Sequence, residues 1–337
     1  MRKIELRSDT FTKPSKKMLQ FMFHAEVGDD VWDEDNTVKS LEYKIASIFG
    51  MDSALFCPSG TMANQIAIKA HTQPGDEVIC DATSHVYYYE GGGIAFNSSA
   101  SVNLIKGQYG KLTVPLIEAA LREENVHYPT TRLVCVENTT NKGGGACYDL
   151  ETLQELSSFC KNKKFAFHMD GARLYNAIIK TNTEPKDYGS IFDSISVCLS
   201  KGLGAPIGSI LLGSSAFIHK AKRVRKVLGG GMRQAGYLAA AGSYALDFNV
   251  PLLVEDHRRA KEISAVLLKM KIVHNVFPVE TNIVIFTVDN SLHLVSYLKK
   301  KNILCSALGN NQIRFVTHLQ FDDQMLEEVK KALISYS

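Results

Sequence analysis

No apolar run in the 337-residue chain approaches the roughly 20 residues that span a bilayer. The N-terminus, MRKIELRSDT, is charged and has no apolar core of the kind a secretory signal carries. There is no low-complexity tract and no internal repeat. Charge of one sign is also missing. The 38 Lys and Arg against 35 Asp and Glu leave a net +3, which points to neither nucleic acid nor an acidic membrane surface as a partner. The seven cysteines, Cys57, Cys80, Cys135, Cys147, Cys160, Cys198 and Cys305, show no CxxC or CxxH spacing, and several sit inside apolar runs. They read as buried free thiols of a reducing compartment rather than disulfides or zinc ligands. These absences lead us to expect a cytoplasmic globular protein with no metal site. Apolar residues at 45% and charged residues at 22% are ordinary for that class.

What is present is an alternation of strands and helices. Short apolar stretches at 77–80, 133–137, 165–169, 194–199 and 209–212 lack strict in-out alternation, as strands covered on both faces do. Helical patterns lie between them at 61–71, 116–123 and 150–161. Earlier, residues 35–50 place Val38, Leu41, Ile45 and Ile48 on one helical face, with Asn36 or Thr37 as the expected cap. A long helix is expected from about Met232 to Phe248, broken at Pro251 and resuming to about Lys269. Strands near 283–288, 303–305 and 313–316, with helices at 292–300 and 323–335, complete the chain. The fold class is therefore α/β, with a mixed, mostly parallel sheet flanked by helices and a small α+β C-terminal domain. The expected divisions are an N-terminal arm over 1–13, a large domain over 14–250 and a small one over 251–337.

Chemistry is concentrated in two places. Ser200 to Gly208 reads S-K-G-L-G-A-P-I-G, a lysine in a small-residue loop after an apolar run. Asp170 stands 31 residues before Lys201, at the end of the run Phe165 to Met169. A lysine and an aspartate so placed suit an enzyme built around pyridoxal 5′-phosphate. The amine forms an imine with the cofactor aldehyde, and the carboxylate keeps the pyridine nitrogen protonated. Pro58-Ser59-Gly60-Thr61 opens a helix after an apolar run, which suits either a phosphate cradle or a plain N-cap. Arg173 suits a fork to a carboxylate, a contact with the cofactor's phenolic oxygen, or a surface ion pair. His85, before the aromatic run Tyr87-Tyr88-Tyr89, reads as a ring stacked on the cofactor or as a structural histidine; His127 is a single histidine before a strand. The run Gly229-Gly230-Gly231 ahead of Met232-Arg233 reads as a hinge or as a close approach to a phosphate. Neither it nor Gly91 to Gly93 has the dinucleotide-binding glycine register.

Taken together, nine segments resemble the low-specificity L-threonine aldolases, in the β-eliminating lyase branch of aminotransferase-like (fold type I) pyridoxal-phosphate enzymes. They are LRSDTFTKP (6–14), VGDDVWDED (27–35), FCPSGTMANQIA (56–67), SHVYYYEGGG (84–93), VENTTNKGGG (136–145), HMDGARLYNA (168–177), LSKGLGAPIGS (199–209), LGGGMRQAG (228–236) and RFVTH (314–318). The resemblance implies Lys201 as the cofactor lysine, Asp170 at the pyridine nitrogen and His85 stacked on the ring. It implies Ser59, Gly60 and Thr61 at the phosphate, with Arg233 from a neighbouring subunit. It also implies Ser8, Arg173 and Arg314 at the substrate carboxylate, and Tyr89, Lys226 and His127 lining the pocket. His85 and His127 are then rival candidates for the base. The chain departs from the family pattern at Phe11, Trp32 and Asp33, where Val, Tyr and Gly are common. The implied partners are a small amino-acid substrate and further copies of the chain, as a homodimer or homotetramer with shared sites. The implied reaction is retro-aldol cleavage of L-threonine or L-allo-threonine to glycine and acetaldehyde. Another lyase or a racemase of the same branch, and a non-catalytic vitamin B6 binding protein, are the rival readings.

Overall fold

The structure is a computed structural model and describes residues 2–336. Its centre is a seven-stranded sheet formed by β2 (Ser53–Cys57), β3 (Asp76–Asp81), β4 (Ser101–Ile105), β5 (Thr130–Glu137), β6 (Ala166–Gly171), β7 (Ser194–Cys198) and β8 (Ser209–Gly213). The spatial order is β2-β8-β7-β6-β5-β3-β4. All neighbours pair in parallel except β8, which runs against both β7 and β2. The sheet is thus mixed and mostly parallel, as the unalternated apolar runs suggest. In β7 and β8 every residue is buried, because helices cover both faces. The strand ends matter most. The C-termini of β2, β3, β5, β6 and β7 all open on the same edge of the sheet.

Local chemistry sets the helix starts. Asp35, rather than Asn36 or Thr37, caps the helix Asn36–Phe49; its Oδ1 accepts from Val38 N at 3.0 Å. Ser59 caps Gly60–His71 through Met62 N at 3.1 Å. The helix expected from Met232 starts at Gly236 instead, and a 3-10 turn over Val250–Leu252 separates it from Leu253–Leu267. Strand β4 and the helices Leu174–Thr181, Pro185–Ile191 and Ser215–Val227 add to the elements expected from the sequence.

The C-terminal part carries a second, antiparallel sheet in the order β12-β13-β10-β9, from β9 (Val273–Val276), β10 (Ile283–Val288), β12 (Ser306–Gly309) and β13 (Gln312–Val316). The start of the chain joins it. Strand β1 (Ile4–Glu5) pairs in parallel with β11 (Ile303–Leu304), and Val316 N donates to Leu6 O at 2.9 Å. Ile4 and Leu6 are fully buried among Ile263, Leu267, Phe286 and Phe315. The helix Leu253–Leu267 links the two cores, giving Leu253 to the large one and Ala260, Ile263 and Leu267 to the small one. Truncating such a leucine to alanine costs about 2–5 kcal/mol. No helix among the described residues is long and apolar enough to cross a membrane. All seven cysteines are free and buried.

Candidate active site

The shared edge of the sheet gathers residues from four strand ends. Ser59, Gly60 and Thr61 follow β2, His85 follows β3, Asp170 ends β6, and Ser200 and Lys201 follow β7. With Asn64, Ala172 and Cys198 they line one cavity of about 130 Å³. Small residues make the approach possible. A Cβ on Gly60 would lie 2.5 Å from Cys198 Sγ, and one on Gly208, whose φ is +115°, would lie 2.7 Å from the Phe56 ring. The Lys201 carbonyl is held from two sides, by Thr12 Oγ1 at 2.9 Å and Gly204 N at 2.9 Å. Its amine meets only Cys198 Sγ, at 3.5 Å, and no carboxylate among the described residues.

Opposite the lysine lies a buried network. Asp170 accepts from Ala172 N and from Asn64 Nδ2, each at 3.0 Å. The same Asn64 amide donates to Glu90 Oε1 at 2.9 Å, and its Oδ1 receives Ser196 Oγ at 2.7 Å and faces His168 Nε2 at 3.2 Å. With both donors on carboxylates, Asn64 presents only its oxygen to His168 Nε2, while His168 Nδ1 faces Ser194 Oγ at 2.8 Å and Ser194 O at 3.2 Å. Burial pushes the His168 imidazole down to about 4, so it is neutral in this role. Glu137, paired in register with Asp170 across β5 and β6, accepts from His85 N at 3.0 Å and Asn141 N at 2.9 Å. Burial, then the Asp170 charge, raises its carboxyl above the ordinary value. His85 Nδ1 lies 2.9 Å from Glu90 Oε1. Burial alone would lower this imidazole, but the Glu90 hydrogen bond and the Asp170 charge raise it overall. The ligand atoms of His85, Glu90 and Asp170 fall within 4.8 Å of one another, yet they are already joined through the His85 and Asn64 donors.

A second group adjoins the lysine loop. Arg173, buried, forks onto Asp9 through Nε and Nη2, both at 2.7 Å. Asn282 Nδ2 supports the same carboxylate at 3.2 Å. Arg314 donates to Asn141 Oδ1 at 2.6 Å and Arg7 O at 3.0 Å, and its Nε is buried without a partner. Burial, then repulsion from Arg173, lowers the Arg314 guanidinium. Arg173 thus has a carboxylate partner in Asp9, whereas Arg314 has none among the described residues. Ser8 lies beside Asp9, with Oγ accepting from Thr10 N at 3.2 Å. The Tyr89 ring is 5.5 Å from the His85 ring, and Lys142 Nζ sits 5.8 Å from the Tyr89 ring.

Three expected residues stand apart from the cleft within one chain. His127 lies in an exposed turn before β5, its N–H on Asn125 Oδ1 at 3.1 Å. At roughly 3.3 Å per residue, β5 alone holds it about 20 Å or more from Asp170, so this chain's His127 is no base for its own cleft. Lys226 ends the helix Ser215–Val227 and is exposed. Arg233 is exposed, with Nη1 on Asp29 Oδ2 at 2.9 Å. Of the departures, Trp32 is 74% exposed and Asp33 takes a left-handed φ of +60°, a conformation in which glycine costs least. Asp9, Asn64, Glu90 and Glu137 were not singled out in the sequence. All four sit within matching segments, but nothing local tells a buried polar side chain from a solvated one.

Comparison with known proteins places the chain in a family. The β-eliminating lyase family model matches residues 5–291. The low-specificity L-threonine aldolase 1 of Arabidopsis thaliana is 42% identical over 330 residues, covering 95% of this chain and 92% of that one. The low specificity L-threonine aldolase of Escherichia coli K12 is 39% identical over 97% of each chain. A Leishmania major threonine aldolase superposes with a TM-score of 0.87 at 21% identity over 99% of both chains. A Sphingomonas wittichii serine palmitoyltransferase superposes with 0.76 at 15% identity, covering 99% of this chain and 87% of that one. The fold is thus the expected aminotransferase-like one, shared by enzymes that bear different names. The chain belongs to the β-eliminating lyase family, among its low-specificity L-threonine aldolases.

Proposed function

We propose that this protein is a pyridoxal-phosphate-dependent carbon–carbon lyase that cleaves L-threonine, L-allo-threonine and related β-hydroxy-α-amino acids to glycine and an aldehyde. The observation that carries the reading is Lys201: an amine with no acid partner among the described residues, in one small cleft with the buried carboxylate of Asp170 and the N-terminus of a twelve-residue helix. The donor set suits the cofactor. A helix start leaves backbone N–H groups for a phosphate, the amine meets an aldehyde, and the carboxylate meets a ring nitrogen. When bound, pyridoxal phosphate supplies the sink for the electrons of the breaking Cα–Cβ bond.

The chain's own residues then divide the work. Ser59, Gly60 and Thr61 hold the phosphate. Asp170, aimed by Asn64 and Ala172 N, keeps a proton on the ring nitrogen. Lys201 would hold the cofactor through its amine. Arg314 and Arg173, with Ser8, receive the substrate carboxylate, whose charge balances the Arg314 guanidinium. That grip would orient the substrate in the cleft. His85 would lie against the ring and accept the β-hydroxyl proton of the substrate, and a proton delivered to Cα would complete glycine.

Exposed apolar side chains on neighbouring helices support a homodimer or homotetramer. Phe21 lies 5.9 Å from Tyr244, which lies 4.7 Å from Phe248, and Phe21 and Phe248 are both exposed. Seven buried free thiols accord with a reducing, cytoplasmic setting. The deciding experiment incubates the purified, cofactor-loaded protein with L-threonine and L-allo-threonine. Glycine and acetaldehyde in equal amounts are expected. Pyruvate with ammonia, or an inverted amino acid, would make it another lyase or a racemase. Cofactor binding with no product and no absorbance change on adding glycine would make it a carrier.

A further inference from the structure

Glu90 has no part in the chemistry above, yet the structure builds around it. Its side chain is fully enclosed, and its two oxygens receive three donors. Oε1 faces His85 Nδ1 and Asn64 Nδ2, each at 2.9 Å, and Oε2 takes Gln65 Nε2 at 2.6 Å. Asn97 Nδ2 holds Gln65 Oε1 at 3.1 Å, so the Gln65 amide turns its donors to the acid. The glycine run that follows has its reason here. Gly91 and Gly92 take φ of +63° and +74°, and a Cβ on Gly93 would stand 2.6 Å from the Gln65 amide. The chain reverses and presses against Gln65, which carries Glu90 beneath the first turns of the helix Gly60–His71. Side chains at 91 and 92 would strain the turn, and one at 93 would displace the amide that holds the acid.

A carboxylate only accepts. Facing it, His85 Nδ1 must carry a proton, because a lone pair there would meet a negative oxygen. The ring is then left with Nε2 as its exchanging nitrogen. We infer that Glu90 is a positioning residue that fixes His85 in the Nδ1-protonated form and so makes Nε2 the group that takes the β-hydroxyl proton of the substrate. This rests on the aldolase reading above, with His85 as base. The charged and titratable groups around the ring are Glu90 on its own segment, Glu137 from β5, Asp170 from β6, Lys201 after β7, and the Tyr89 phenol. Burial alone would depress the imidazole. The Glu90 hydrogen bond, with the Asp170 and Glu90 charges, outweighs it, and Lys201 opposes them.

The test is Glu90→Gln in the holoenzyme, which keeps an acceptor for Nδ1–H but removes the charge. With L-threonine, kcat is expected to fall at least ~10-fold with little change in KM. The acid limb of kcat/KM should move to lower pH, because the imidazole loses a charge that raises it. Glu90→Asp, which retains the charge, should keep the limb nearer the wild-type position. Adding Glu90→Gln to His85→Phe should slow the enzyme far less than it slows the wild type, since only the bonds to Asn64 and Gln65 then remain to be lost. A readout independent of turnover is the His85 Cε1–H titration by NMR in the cofactor-free protein, assigned with His85→Phe; its midpoint should fall in Glu90→Gln. An unmoved limb and midpoint, or a full multiplicative loss in the double variant, overturns the inference. Should Glu90→Gln not fold, the Glu90→Asp limb and midpoint decide alone, and a fall in both as large as loss of the ring's partner would cause counts against it. If His85→Phe retains normal kcat, the base assignment falls and this inference with it. If His85→Phe is slow while Glu90→Gln is normal, only the role of Glu90 falls.

Discussion

Arg173 grips Asp9 in a two-pronged fork, Nε to Oδ2 and Nη2 to Oδ1, each at 2.7 Å, although 164 residues separate them. The pair ties the first residues of the chain to the loop after β6. It also engages two of the Arg173 donors, so what the guanidinium offers a substrate is a fixed edge rather than a free fork. The N-terminal segment is part of the clamp, with Ser8 and Arg7 O beside Arg314.

Asp9→Asn should destabilise the fold by roughly 3 kcal/mol, because it leaves a buried guanidinium without its counter-charge. Burial alone would raise the Asp9 carboxyl, but Arg173 lowers it from 3.8 to about 2. The unfolded chain therefore takes up a proton before the folded one. The ion pair's contribution, about 2 kcal/mol from the shift, is complete above pH 4 and disappears as pH falls through about 2. Urea unfolding from pH 5 to pH 2 checks this. The wild type should lose stability more steeply than Asp9→Asn, and parallel curves would remove Asp9 as the cause.

Lys201→Ala should bind the cofactor without a covalent link and lose turnover. Intact-mass analysis after borohydride reduction is the check, with one cofactor fixed per wild-type chain and none on the variant. If a linkage persists, the attachment lies on another lysine, and Lys226 is the first to examine.

Arg233 tests whether sites are shared. It is exposed and outside the cleft of its own chain, so its proposed place at the phosphate requires a second subunit. Arg233→Ala should weaken cofactor binding. Mixing it with inactive Lys201→Ala chains should restore part of the activity, because hybrid dimers contain one site with both residues intact. A fully active monomer by light scattering at assay concentration would refute the arrangement.

His85→Phe should retain the cofactor through stacking but cleave L-threonine at least ~10²-fold more slowly. His127 is about 20 Å or more from the cleft of its own chain on the strand-length argument, so it can act only on a neighbour's site. Comparing kcat of His85→Phe and His127→Phe, both cofactor-saturated, separates the two. A normal His85→Phe with a crippled His127→Phe would transfer the base role across the subunit contact.

Legibility followed the range of the interactions. Strands β7 and β8 are plain in the sequence because a strand covered on both faces needs an unbroken apolar run. Strand β4 is not, since at the sheet edge Ser101, Val102, Asn103 and Leu104 are partly or wholly exposed and carry no such run. Asp35 was passed over as a cap for Asn36 or Thr37 because all three residue types suit the position, and only the backbone decides which one precedes the first helical turn.

The sequence by itself determined the α/β class, the family, the lysine and its aspartate, and the glycine-rich approaches to both. These are properties of contiguous segments, in which chain order alone sets the chemistry. Only the tertiary structure decided that Asp9 answers Arg173, that Asn64 bridges Asp170 and Glu90 across 106 and 26 residues, and that Arg233 and His127 turn away from their own chain's cleft. An acid or amide so far along the chain acquires a partner only when strand order brings the two ends together, and burial then leaves it none but that partner.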